Sequence, residues 1–147
     1  MISDWFLVTL VTATILRGLG AGIIIGLGLM LLPARRQLGN IPYAQFTRTL
    51  YKGGGVRVYA VITILGALLT VACLPWPFVH GAPAIASWVI MVSLAATILG
   101  FVGTGVNFPT MLTLWRTSDD DEAVVIKLLD RWDWWHVFGA VWHGIAF

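Results

Sequence analysis

Charge is what this chain has least of. Only 11% of its 147 residues are Asp, Glu, Lys or Arg, where a soluble domain carries about 25%. With 59% apolar residues, the composition excludes an ordinary water-exposed surface and belongs to the membrane class. Cysteine is nearly absent too. Cys73 alone cannot close an intramolecular disulfide, and without a Cys-x-x-Cys or Cys/His cluster no zinc or iron–sulfur centre is expected. The N-terminal Met1-Ile2-Ser3-Asp4 lacks a basic n-region, and the apolar run after it is too long for an h-region, so no cleavable signal peptide is expected. There is no internal repeat and no low-complexity tract, and one domain covering 1–147 is the natural count.

What is present is a set of long apolar runs. About 20 residues of helix cross a bilayer, and four segments qualify: 5–32, 56–74, 85–106 and 124–147. The second stops at Pro75 and Pro77, which cannot continue a helix cleanly. Asn107-Phe108-Pro109 is expected to close the third in the same way. The apolar part of the fourth, from Trp132 to Phe147, is only about 24 Å long, so 124–129 are drawn into its span. The expectation is an all-α, four-helix transmembrane bundle.

The basic residues orient it. Arg35, Arg36, Arg48, Lys52 and Arg57 lie in or beside the first connection, and Arg116, Lys127 and Arg131 lie between the third and fourth segments. The N-terminus, the 75–83 connection and the C-terminus carry no lysine or arginine. By the positive-inside rule both basic connections are cytoplasmic and both termini face outward, in a bacterial-type inner membrane. The net charge of +2 is thus a topology signal, and no nucleic-acid partner is expected. Within the first connection, 40–51 reads as a short interfacial helix with Tyr43, Phe46 and Leu50 on one face. Gly53-Gly54-Gly55 then breaks it. Ser118, followed by Asp119, Asp120, Asp121 and Glu122, reads as an N-cap with acids in the first turn.

Few residues inside the runs can carry chemistry. Arg17 lies about 18 Å along the helix from Trp5, near mid-bilayer, where a charge must face the bundle and find a partner. It is either an anion or substrate contact, or one half of a structural pair with Asp133, a backbone carbonyl or a lipid headgroup. Asp133, His136, Ala140 and His143 share one helical face. His136 and His143 are about 10.5 Å apart along it, too far to share one metal ion. Haem would need an axial ligand from a partner chain, or only one histidine. A satisfied polar-core role and general acid–base work are both open to them. Trp132, Trp134 and Trp135 read as interface anchors, and Trp142 as the pocket tryptophan. Gly18, Gly22 and Gly26 follow the small-xxx-small spacing of helix packing, with Gly20 and Gly28 as a second stripe. Such faces suit a homo-oligomer or other membrane subunits, besides lipid, as partners.

Several of these features together resemble a family. A glycine-rich first segment ending in Leu32-Pro33, Asn107-x-Pro109, and Arg131-Trp132 ahead of His136 are similar to the anthrone oxygenase-like family of small four-span membrane proteins. The resemblance implies oxidation of an anthrone-type aromatic by molecular oxygen with neither metal nor flavin, and it places Asn107 and His136 near the active site. This chain has Met111 where the family often has a second asparagine, and Gly139 where it tends to have an arginine. The resulting expectation is a cofactor-independent oxygenase with His136 as base, Asn107 and Arg17 stabilising an oxyanion, and Trp142, His143 and Asp133 at the substrate. A non-catalytic subunit of a larger membrane complex is the alternative, and a haem- or quinone-binding protein a third.

Overall fold

The computed structural model describes residues 4–81 and 83–147; the signal-peptide expectation, which rests on Met1 to Asp4, falls almost wholly outside them. The described residues form six helices and no strand: α1 (Asp4–Leu38), α2 (Asn40–Lys52), α3 (Gly55–Cys73), α4 (Pro75–Val79), α5 (Ala84–Arg116) and α6 (Glu122–Ala146). Three helical stretches are long and apolar enough to cross a membrane: Asp4–Leu38, Gly55–Val79 and Ala84–Arg116. The shortest has 25 residues, or about 38 Å, which exceeds a hydrocarbon core of roughly 30 Å. α6 is not among them, because Glu122, Lys127, Asp130, Arg131 and Asp133 fall in its first half.

Burial is arranged for lipid. Leu19, Leu29, Val61, Leu68, Val92 and Val102 point outward, whereas Arg17, Thr63, Thr97, Asn107, His136 and His143 are buried. Polar groups turned inward beneath an apolar exterior are what a medium without hydrogen-bonding partners demands. The described chain is a helical membrane protein.

α5 packs along α6, and α1 along both α3 and α6, while α3 and α5 meet only sparsely. That leaves a cleft on the α3–α5 side. α2 lies across the basic end and touches α1, α3, α5 and α6. Tyr43, Ala44 and Thr47 of α2 are fully buried, but Phe46 is 46% exposed. Of the expected Tyr43–Phe46–Leu50 face, Tyr43 and Leu50 pack on the other helices and Phe46 stays outside. The core beneath it joins Leu31, Tyr43, Leu114, Val125, Leu129 and Trp132.

Two other boundaries differ from expectation. α5 does not end at Asn107–Pro109 but runs on to Arg116 with Pro109 inside it. Thr110, Met111 and Leu114 are buried beyond the proline, and this packing offsets the lost backbone bond. Ser118 does not cap α6. It closes a separate turn, its carbonyl accepting from Asp121 N–H (3.3 Å) and its hydroxyl from Asp120 N–H (3.3 Å). The helix starts at Glu122 after Asp121, whose side chain makes no cap bond. The cause is Arg48, which pairs with Asp119 and donates to the Leu114 and Thr117 carbonyls, both at 3.0 Å. It satisfies carbonyls left open at the end of α5 and holds Asp119 out of the helix.

Candidate functional site

The cleft contains a cavity of about 450 Å³ bounded by α1, α3, α5 and α6 and closed at the basic end by Leu50 and Tyr51 of α2. Ile24, Leu27, Val58, Phe108 and Met111 supply apolar wall, and Trp115, Trp132 and Trp135 supply aromatic wall. The polar side chains on it are His136, Asn107, Tyr59, Tyr51 and Thr104. Among the described residues no lysine, arginine, aspartate or glutamate lines it.

His136 is held by a bare patch on the opposite helix. A Cβ at Gly28 would sit 3.3 Å from the His136 ring, so glycine lets the imidazole lie against the α1 backbone. There its Nε2 is 3.0 Å from the Ile24 carbonyl. A carbonyl only accepts, so Nε2 carries the hydrogen and Nδ1 keeps its lone pair. Trp132, one turn earlier on α6, covers the ring at 4.9 Å between centroids.

Asn107 reaches the same cavity from α5. Its amide nitrogen donates to the Trp132 carbonyl at 3.4 Å, which orients the group, since the amide oxygen could not face another acceptor. Oδ1 is left buried with no partner. The carboxamide therefore carries an unmet acceptor, Oδ1, with one of its two N–H donors already used.

The remaining expected site residues lie elsewhere. Arg17 rests on Gly66 of α3, where a Cβ would be 3.1 Å from its Cδ. Its Nη2 donates to the Ser93 carbonyl at 3.2 Å, the backbone-carbonyl partner that was one of the options for it. It forms no ion pair with Asp133, and its Nε is buried without a partner. His143 lies on Gly100, whose Cβ would be 3.0 Å from Nε2, and that nitrogen is 3.0 Å from the Tyr59 hydroxyl. His143 thus meets the cavity only through Tyr59. Asp133 sits at the basic end, paired with Arg35 at 2.5 Å, while Arg35 also binds Asp130 at 2.8 Å and the Asn40 side chain at 3.0 Å. Trp142 packs edge-on against Phe138, outside the cavity wall.

Of the two expected glycine stripes on α1, the second is the one that other helices of this chain cover. A Cβ at Gly22 would meet nothing within 4 Å, and one at Gly26 only Met30 of its own helix. Gly18 does lie against a side chain, that of Phe147 at 2.8 Å. The buried stripe of α1 is Gly20 and Gly28, and these accommodate side chains, Thr63 and His136. Among the described residues, no group of three or more His, Cys, Asp or Glu could hold a metal ion.

Outside the spans, burial pushes the Tyr51 phenol up to about 12. Tyr43 is raised as well, by burial and then by the negative charge of Asp133. Both remain neutral hydroxyls at physiological pH.

Tyr59 and Trp115 were missed as site residues. Tyr59 had a signal, being the tyrosine inside an apolar run; Trp115 had none, because it lies beyond a proline expected to end the helix. Comparisons with protein-family models, curated proteins and solved structures find no match.

Proposed function

We propose that this is a four-span integral membrane protein whose cavity takes a flat, lipid-soluble aromatic and oxidises it with molecular oxygen, in the manner of the anthrone oxygenase-like family it resembles. α6 is the fourth crossing in this reading. It packs along α5 and α1, its 25 residues reach about 38 Å, and its charges gather at the end where Arg35 meets Asp130 and Asp133. Both basic connections are then cytoplasmic and both termini outside.

The observation that carries the functional reading is an apolar, aromatic-walled cavity reaching a buried histidine whose second ring nitrogen is free to accept a proton. Pockets of about 300–1,000 Å³ with a few polar groups are the usual form of a small-molecule site. His136 Nδ1 takes a proton from an acidic ring C–H, leaving a carbanion stabilised by the rings. The carbanion and oxygen form a peroxide, which recovers the proton and loses water. In sum, a ring CH₂ and O₂ give a ring carbonyl and H₂O. Trp135 stacks on the rings, the part expected of Trp142.

The test is anthrone turnover by the purified protein in lipid nanodiscs. His136→Gln retains an amide donor for the Ile24 carbonyl but supplies no base, and turnover should fall about 10²–10⁴-fold. An unchanged rate removes His136 as base.

A non-catalytic subunit is the second reading, favoured by the outer face of α1, where Gly22 is open and Leu19, Leu29 and Met30 are exposed. Purification in mild detergent separates the two readings. Stoichiometric partner subunits support the second, and a lone protomer or homo-oligomer the first.

A further inference from the structure

Two atoms of cavity-lining residues are enclosed with no hydrogen-bond partner: Asn107 Oδ1 and the Trp115 indole nitrogen. Both residues are on α5, about 12 Å apart along its axis. Asn107 Oδ1 can only accept and the indole N–H can only donate. Native interiors rarely leave such groups unmet, because each forfeits a hydrogen bond that water would have made. The chain has nothing further to offer here. One N–H of the Asn107 amide goes to the Trp132 carbonyl, and the half-buried Trp115 packs against the apolar cluster beneath α2.

We infer that Asn107 and Trp115 are a specificity-determining pair, in which Trp115 donates to a carbonyl oxygen of the ligand and Asn107 accepts from its hydroxyl. The inference rests on the reading of the cavity as a ligand site. The preferred occupant is an uncharged aromatic bearing one group of each kind, since no charged side chain faces a ligand. A ring with two carbonyls sets an oxygen against Asn107 Oδ1. A ring with neither group leaves both atoms unmet. Discrimination of this kind is strong because the penalty falls on buried groups of the protein.

The test uses four bicyclic probes equilibrated between protein-loaded and empty lipid nanodiscs: 6-hydroxy-1-tetralone, 1-tetralone, 5,6,7,8-tetrahydro-2-naphthol and tetralin. With the wild-type chain, each matched polar group should tighten binding about tenfold over the probe lacking it. Trp115→Phe should erase the advantage of the carbonyl and keep that of the hydroxyl. Asn107→Leu, close in shape, should do the reverse. Four equal wild-type affinities overturn the inference while leaving a ligand cavity in place, and they do so without any variant having to fold. Variants that keep both preferences overturn it as well. If no probe binds the wild-type chain, the cavity reading and the inference fall together.

Discussion

The two ends of this molecule satisfy their polar groups by different means. At the basic end, charge meets charge: Arg48 with Asp119, and Arg35 with Asp130 and Asp133, over a filled core of Leu114, Leu129 and Trp132. Deeper among the spans there are no carboxylates, and polar side chains turn to backbone carbonyls and glycines instead. Arg17 lies on Gly66 and binds the Ser93 carbonyl; His136 lies on Gly28 and binds the Ile24 carbonyl. His143 lies on Gly100 and pairs with Tyr59. Near water, an ion pair is cheap to form and solvent covers its remaining valences. In lipid, the inexpensive partner is a carbonyl already held in place by its helix, and a missing Cβ allows the approach.

The largest effect is expected where the basic end is most tightly filled. Trp132 is 1% exposed and contacts Tyr43, Tyr51 and His136. Trp132→Ala should cost about 3–5 kcal/mol, read as a drop in the unfolding midpoint in detergent. The carboxylates on Arg35 come next. Asp133→Asn, at 20% side-chain exposure, should cost about 1.5–3 kcal/mol, and Asp130→Asn, at 65%, under about 1 kcal/mol. Equal losses in the two variants would show that burial does not grade the pairs.

The glycines sharpen the contrast by sign. Gly100→Ala drives a Cβ to 3.0 Å from His143 Nε2 and should destabilise by about 1–3 kcal/mol. Gly22→Ala meets nothing within 4 Å and should stabilise by about 0.5–1 kcal/mol through helix propensity. Thermal unfolding of both variants in one detergent makes the comparison, and stabilisation by Gly100→Ala would abolish the idea of a histidine seat.

The smallest effect is on pH. Hydrogen bonds from Gln45 and then Arg48 hold the Asp119 carboxyl below the usual carboxylate range. Because the folded value is the lower one, its contribution is complete above the unfolded value of about 3.9 and is lost as pH falls through the folded value. Hydrogen exchange in 117–121 should therefore show falling protection below about pH 4, and Asp119→Asn should flatten that dependence.

Much of this frame was legible in the sequence. A run such as 85–106 must be helical and must face lipid wherever it sits. The basic residues of 35–57 and 116–131 do come together at one end, and 40–51 forms its own helix there. Asn107 and His136 do line one cavity. Other readings failed for identifiable reasons. Spacing makes Gly18, Gly22 and Gly26 a stripe, but which stripe of α1 is buried depends on how α3 and α6 lie against it. Pro109 has a local cost that burial of Thr110, Met111 and Leu114 outweighs. Position along α6 made Trp142 the pocket tryptophan and Trp132 an anchor, but the cleft between α3 and α5 reaches Trp132 and Trp135 and not Trp142.

Composition and near-neighbour pattern settled the medium, most of the helical segments and the end at which charge collects. These are properties of composition and of neighbours a few residues apart, and transfer free energy and the backbone's own hydrogen bonding dictate them. Tertiary structure alone decided which histidine faces a cavity, which glycine receives it, and which amide and indole are left unmet. Those outcomes hang on contacts between segments as much as 112 positions apart, like His136 and Ile24, and rotating one helix by a single residue step would exchange them.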